Sequence, residues 1–439
     1  MNRINLIILL HVLLSQIVYS QTIDKNKLDT YFQVLEENNK FMGSVAVSKH
    51  GNIIYTKSVG FADLENQIKT NENTIYRIGS ISKTFTAVLV MKAIEEGKLK
   101  LNQTIKDFFP SLPHADKITI EHLLTHRSGI HNFTNDSSYL TYNTQPKNEG
   151  EMLKIIGKAG SDFEPGFQSS YSNSNYVLLT FIVESVFDSS YKNLLSHYIT
   201  KPLGLKQTYF GGKINPRKSE SKSYTFDESW KISSETDTSI PLGAGGIVST
   251  STDLVKFSDA LFGGKVLKTE SLEKMKQMKG FFGMGLIQVP FYDKLGYGHT
   301  GGIDGFRSVL FHFEDENVSF AMTSNAASYD INNISISVLS AVYNKDYEIP
   351  AFNSIELSSE DLDTYVGVYS STMLPLKITI TKENNSLIAQ ATGQSSFILE
   401  AFDKDKFRFD QAGLILEFTP SEKTMLLKQG GGEFLFQKE

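Results

Sequence analysis

The sequence predicts an α+β protein: a mostly antiparallel sheet flanked by helices, with a helical insertion, followed by a small all-β barrel or sandwich. Three observations carry this. Strand-like runs stand at both ends of the first 345 residues, with helices and loops between them. Composition then shifts at 346–356, a stretch that opens Asp-Tyr-Glu-Ile-Pro-Ala-Phe-Asn and reads as a linker. Beyond it come short alternating runs separated by turn residues, the spacing of a small antiparallel barrel.

The elements follow in chain order. Arg3 precedes a nearly unbroken apolar run at 6–14, and Val18 and Ser20 fit cleavage before Gln21. The run is too short for a membrane span, which needs ~20 residues. Residues 1–20 therefore read as an export signal, 21–345 as the first folding unit and 357–439 as the second. A helix is expected at 26–39. Strands are expected at 43–49 and 52–58 around the turn His50-Gly51. After Gly79, Ile81, Phe85, Val88, Leu89 and Ala93 recur at helical spacing until Gly97 stops the helix. Helical stretches are read near 119–125, 175–187 and 252–262, strands at 307–313 and 318–324, and a helix at 330–343. The tail contributes runs at 376–381, 387–392, 397–402, 407–410, 414–418 and 425–428.

Composition excludes some chemistry. The net charge of −6 argues against nucleic acid as a partner. The absence of cysteine removes disulfides, thiolate metal sites and a cysteine nucleophile. His114, His126 and His131 lack a usual zinc spacing, so neither a metal nor a cofactor is expected. Gly243–Gly246 lacks the Gly-Lys-Ser/Thr of a phosphate loop and reads as a turn before a helix.

Three short motifs remain. Ser80-Ile81-Ser82-Lys83 is one of several Ser-x-x-Lys matches, with Ser189/Lys192, Ser219/Lys222 and Ser271/Lys274, but only Ser80 opens an apolar helix. Residues i and i+3 share a helix face, so the amine can reach the hydroxyl. The helix start aims backbone N–H groups at the site. Apolar surroundings would lower the pKa of the amine and make it a base. On its own the motif equally describes a capping serine and a surface lysine. Tyr171-Ser172-Asn173 offers a phenol and an amide, though Tyr191-Lys192-Asn193 matches the same pattern. Gly298-His299-Thr300-Gly301-Gly302 could let a substrate backbone lie against a strand edge, or could be a hairpin turn with an incidental histidine.

Taken in order, Ser-x-x-Lys, Tyr-x-Asn and His-Thr-Gly resemble the penicillin-recognising serine hydrolases. The resemblance is closest to the class C β-lactamase-like group, which includes D-alanyl-D-alanine carboxypeptidases, D-amino-acid-specific peptidases and esterases. Flanking runs agree: Tyr76-Arg-Ile-Gly-Ser80, Leu123-Leu-Thr-His-Arg-Ser-Gly129, Glu164-Pro-Gly-Phe and Gly243-Ala-Gly-Gly-Ile-Val-Ser-Thr250. The resemblance covers about 30–345. It implies a β-lactamase/transpeptidase-like fold with Ser80 as acylated nucleophile, Lys83 as its base and Tyr171 moving protons for the leaving group and the deacylating water. It further implies that Asn173 holds the substrate amide and that His299, Thr300 and Gly301 contact substrate, Thr300 through a substrate carboxylate. The N–H groups of Ser80 and Gly302 would form the oxyanion hole. The tail resembles the lipocalin-like β-domain appended to some members.

One departure matters. Many β-lactamases of this group carry lysine where this chain has His299. The peptidase, amidase and esterase branches fit better, and an unperturbed histidine there would titrate near pH ~6.5 and lose its hold on a substrate carboxylate above it. The expected protein is an exported serine hydrolase, periplasmic or secreted, without stable membrane insertion after signal cleavage. It would act like a D-alanyl-D-alanine carboxypeptidase on a small-molecule or short-peptide substrate such as a cell-wall fragment. An esterase of the same fold, a weak β-lactamase and a binding or scaffold protein are the alternatives.

Overall fold

The computed structural model describes residues 23–227 and 229–439. The apolar run read as an export signal lies outside these residues. Among the described residues no helix is long and apolar enough to cross a membrane.

Helix α1 (Lys25–Glu37) leads into strands β1 (Phe41–Lys49) and β2 (Asn52–Val59). Helices α2 (Ser82–Glu95), α3 (Asn173–Phe187) and α4 (Ser251–Phe262) belong to the long middle section. Strands β3 (Ile287–Phe291), β4 (Lys294–Ile303), β5 (Phe306–Phe313) and β6 (Val318–Ala327) return before helix α5 (Ile331–Val342). The sheet runs β3-β4-β5-β6-β1-β2, so the two chain ends meet where β1 pairs antiparallel with β6.

Side-chain alternation divides this sheet. Val45, Val47, Val309, Phe311, Phe320 and Met322 pack in one apolar cluster with α1 and α5. Ala46, Leu310 and Ala321 point the other way, into the cluster built on α2, α3 and α4. On β1 and β6 this face carries small residues, Ser44, Ala46, Ala321 and Thr323, which lets α4 come close. Ser251 Oγ donates to the Ser44 carbonyl at 2.8 Å and lies 2.8 Å from Thr323 Oγ1. Helix α2 is buried on nearly every side, as its apolar composition requires. Its Phe85 stacks on Phe257 of α4, with ring centroids 3.8 Å apart.

The tail is a closed antiparallel barrel of eight strands. They are β7 (Gly367–Ser370), β8 (Lys377–Glu383), β9 (Ser386–Ala391), β10 (Phe397–Asp403), β11 (Lys406–Phe409), β12 (Leu414–Thr419), β13 (Thr424–Gln429) and β14 (Gly432–Lys438). The six runs read from sequence correspond to β8–β13. The two strands missed are the ones that close the barrel, through the pairs Tyr369↔Lys438 and Ser370↔Gln437. β7 is too short to show a period, and β14 starts at the last of three consecutive glycines (Gly430–Gly432), which carry no side chain to mark a strand. Side chains including Ile380, Leu387, Phe407, Leu416, Met425 and Phe436 fill the interior. Lys40 pairs with Asp410 at 2.6 Å, tying the barrel to the first unit, and Arg408 Nη1 donates to the Ala351 carbonyl at 2.6 Å, tying the barrel to the linker.

Candidate active site

The Ser80 turn is built by close backbone contact. Gly79–Ile81 form one turn of 3₁₀-helix that runs into α2, so Ser80 stands just before the α-helix rather than in its first turn. Gly79 has φ +48°, and a β-carbon there would lie 2.7 Å from the Gly302 nitrogen. A β-carbon on Gly301 would lie 2.1 Å from the Ile78 carbonyl oxygen. Gly301 is buried, and the side that a β-carbon would occupy is taken by Ile78. Its role here is to let β4 approach the Ser80 turn.

The His-Thr-Gly segment is not a hairpin turn. It lies within β4, and the turn follows at Asp304-Gly305. Pairing of β3 with β4 ends at Ile287↔Gly298, so β3 leaves the outer edge of β4 uncovered from His299 to Ile303. Thr300 and Gly302 are exposed on that stretch.

Two side chains converge on Ser80 Oγ. Lys83 Nζ lies 3.0 Å away, and the Tyr171 hydroxyl donates to it at 2.7 Å. Lys83 is fully buried, and burial without a neighbouring carboxylate pushes its amine well below the ordinary lysine value. Its nitrogen also donates to Asn173 Oδ1 and to the Ala244 carbonyl, each at 2.7 Å. A neutral amine has two N–H groups and one lone pair. In the deprotonated form the two fixed acceptors can take both N–H groups, so that the lone pair faces the Ser80 hydroxyl. Burial raises the Tyr171 phenol above its ordinary value, so it stays protonated and donates. The arrangement can withdraw a proton from Ser80 through Lys83 and supply one through Tyr171.

Supporting contacts fix these groups. Asn173 opens α3, accepts from Lys83 and donates Nδ2 to Thr134 Oγ1 at 3.1 Å, leaving one amide hydrogen for a ligand. The Tyr171 ring packs on His126 (centroids 4.5 Å) and Phe282 (5.7 Å). His126 Nδ1 accepts from the Ser172 backbone N–H at 3.1 Å, and burial holds its imidazole well below the ordinary value. Ala244, His126, Phe282 and Thr134 were not singled out from sequence as site residues. Ala244 sits in the Gly-rich run that read as a turn, and a carbonyl acceptor leaves no mark in residue type.

His299 departs from expectation. Its imidazole is buried, with ring centroid 6.3 Å from that of Tyr171 and Nδ1 2.6 Å from the Thr300 carbonyl. Burial, with Lys83 nearby, lowers its pKa to about 4. It is a neutral imidazole at neutral pH and not the titrating cation that exposure would have made it. A carboxylate-bearing substrate and its methyl ester are therefore expected to give kcat/KM profiles of the same shape between about pH 5.5 and 8. Divergence of the two through about pH 6.5, the unperturbed histidine value, would restore His299 as a titrating group.

A family model described as Beta-lactamase matches residues 29–333. The chain belongs to this family. A penicillin-binding protein of Bacillus subtilis (strain 168) is 25% identical across 93% of this chain and 97% of its own length, so the similarity includes the tail. A teichoic acid D-alanine hydrolase of Staphylococcus aureus (strain MRSA252) is 29% identical over 55% of this chain and 59% of its own. A solved structure of a D-amino acid amidase from Ochrobactrum anthropi SV3, in complex with L-phenylalanine amide, has a TM-score of 0.65 and 26% identity. It covers 73% of this chain and 99% of the amidase. The chain is a serine hydrolase of the β-lactamase family.

Proposed function

We propose that this β-lactamase-family hydrolase is exported and cleaves D-aminoacyl peptides, amides or esters through an acyl-enzyme on Ser80. The convergence of Lys83 and Tyr171 on Ser80 Oγ carries the proposal. Neutral Lys83 takes the hydroxyl proton as Ser80 attacks the carbonyl. The Ser80 and Gly302 N–H groups receive the oxyanion, the term with the largest expected share of the rate. Tyr171 passes a proton to the leaving group, and the same pair activates the water that releases the acyl group. Asn173 holds the substrate amide, and Thr300 meets a carboxylate on the leaving side. Residues 21–345 are proposed as the catalytic unit, with 346–356 as linker and 357–439 as an accessory barrel. In support, no residue of the barrel lines the cavity at Ser80. The D-amino-acid substrate class is drawn from the names of the relatives and from histidine standing where many β-lactamases have lysine.

A fluorophosphonate or fluorescent penicillin probe is expected to label the wild-type protein and to lose essentially all labelling in Ser80→Ala. Labelling that persists in the variant would move the nucleophile elsewhere. A panel of D-Ala-D-Ala peptides, D-aminoacyl amides, p-nitrophenyl esters and a chromogenic cephalosporin then ranks the leaving groups. A cephalosporin turned over faster than the peptides and amides would replace the peptidase reading with a β-lactamase.

A further inference from the structure

A cavity of about 680 Å³ opens beside Ser80 and Asn173. Phe133, Tyr139, Leu140, Ile232 and Ile303 form apolar parts of its wall, and the charged side chains lining it are Asp304 and Arg307. Asp304 is neutralised within the fold: it pairs with Arg77 at 3.2 Å and accepts from Thr236 Oγ1 at 2.6 Å. Arg307 is not neutralised. Its Nη1 donates to the carbonyls of Phe306 at 2.8 Å and Asp304 at 3.3 Å. Among the described residues no carboxylate stands within ion-pair distance of the guanidinium, and Nε and Nη2 have no protein acceptor. The residue is solvent-exposed, so that edge of the guanidinium is available to a ligand.

Its location relative to Ser80 is specific. Arg307 is opposite Gly302 in the β4–β5 register, and a β-carbon on Gly302 would lie 3.6 Å from its Nη1. Asn173, Gly302 and Arg307 line the cavity, while Tyr171 and Thr300, assigned above to the leaving group, do not. The cavity is thus on the acyl side of the scissile bond.

We propose that Arg307 binds an anionic group, a carboxylate, on the acyl half of the substrate. This deepens the proposed function and rests on the Ser80 assignment. A planar guanidinium with one edge open suits a carboxylate bound through two oxygens, and the apolar wall strengthens the attraction. His299 is uncharged at neutral pH, and Lys83 is buried with its nitrogen committed to Ser80, Asn173 and the Ala244 carbonyl, so neither competes for the anion.

The test compares two esters with one leaving group: the p-nitrophenyl monoester of glutaric acid, whose acyl half carries a carboxylate, and p-nitrophenyl valerate, its neutral counterpart. Wild-type kcat/KM is expected to favour the glutaryl ester by about tenfold, the size of one charge-assisted contact, and the preference should shrink as salt rises. Arg307→Gln should bring the ratio close to one, and Arg307→Lys should keep part of it. A wild-type ratio near one, or a ratio unchanged in Arg307→Gln, would overturn the proposal. Hydrolysis of either ester persisting in Ser80→Ala overturns the Ser80 assignment instead, and no turnover of either ester by wild type overturns both.

Discussion

Replacing Lys83 is expected to lower kcat by about a thousandfold or more, within the range typical for loss of a general base. Arginine and methionine make a matched pair of tests. Lys83→Arg keeps a donor-rich cation but cannot lose its proton near neutral pH. Lys83→Met fills similar space with no proton chemistry. Both should be nearly inactive while retaining the wild-type circular dichroism spectrum. The wild-type pH profile supplies the sign. Burial holds the amine well below its ordinary value, so the free base is present at pH values where a surface lysine is still a cation. Activity should fall as pH drops through that lowered value, because protonation removes the lone pair aimed at Ser80. A folded Lys83→Met enzyme retaining a tenth or more of wild-type kcat would show that another group takes the Ser80 proton.

Loss of Arg77 is expected to cost about 3–5 kcal/mol of stability, the range for stranding one member of a buried ion pair. Arg77 and Asp304 are each only 3% exposed. Arg77 Nη2 also reaches Glu235 at 2.8 Å and the Gly212 carbonyl at 3.0 Å, and Nη1 reaches the Thr236 carbonyl at 2.5 Å. One guanidinium thus joins the segment before Ser80 to the tip of the β4–β5 hairpin and to two loops. Arg77→Met leaves the Asp304 carboxylate buried without its cation. Trp230 is the only tryptophan in the chain and lies in the first unit, so its fluorescence reports the unfolding of that unit separately from the barrel. In urea the midpoint should fall by about 1 M or more, taking a slope of ~3 kcal/mol/M for a unit of this size. Arg77→Met/Asp304→Asn should recover part of the loss, because the stranded charge is gone. A double variant no more stable than Arg77→Met alone would mean that the carboxylate charge is not the cause.

Local spacing was sufficient for the elements with a clear period. The helix after Gly79, the strands at both ends of the first unit and the six central barrel strands were all legible, because an apolar face repeats every 3.6 or 2 residues whatever it later packs against. The strands closing the barrel were not, since closure depends on register between segments far apart in sequence. The same division runs through the site. Ser80 and Lys83 are three residues apart at a helix start, and that spacing alone brings hydroxyl and amine together. Tyr171 meets Ser80 across 91 residues, and only the packing of the segment before α3 on His126 and Phe282 places it there.

Protonation states were likewise decided by the tertiary structure. The sequence shows a histidine in the His-Thr-Gly segment, but not that strand β4 buries its ring and keeps it neutral. It shows a lysine, but not that Asn173 and the Ala244 carbonyl can take both N–H groups of the deprotonated form, so that the lone pair faces Ser80. It shows an aspartate and an arginine at 304 and 307, but not that Arg77 neutralises the first and leaves the second facing the cavity. Residue identity and short-range spacing set which groups can react. Charge and direction depend on desolvation and on long-range partners, and those exist only once the chain has folded.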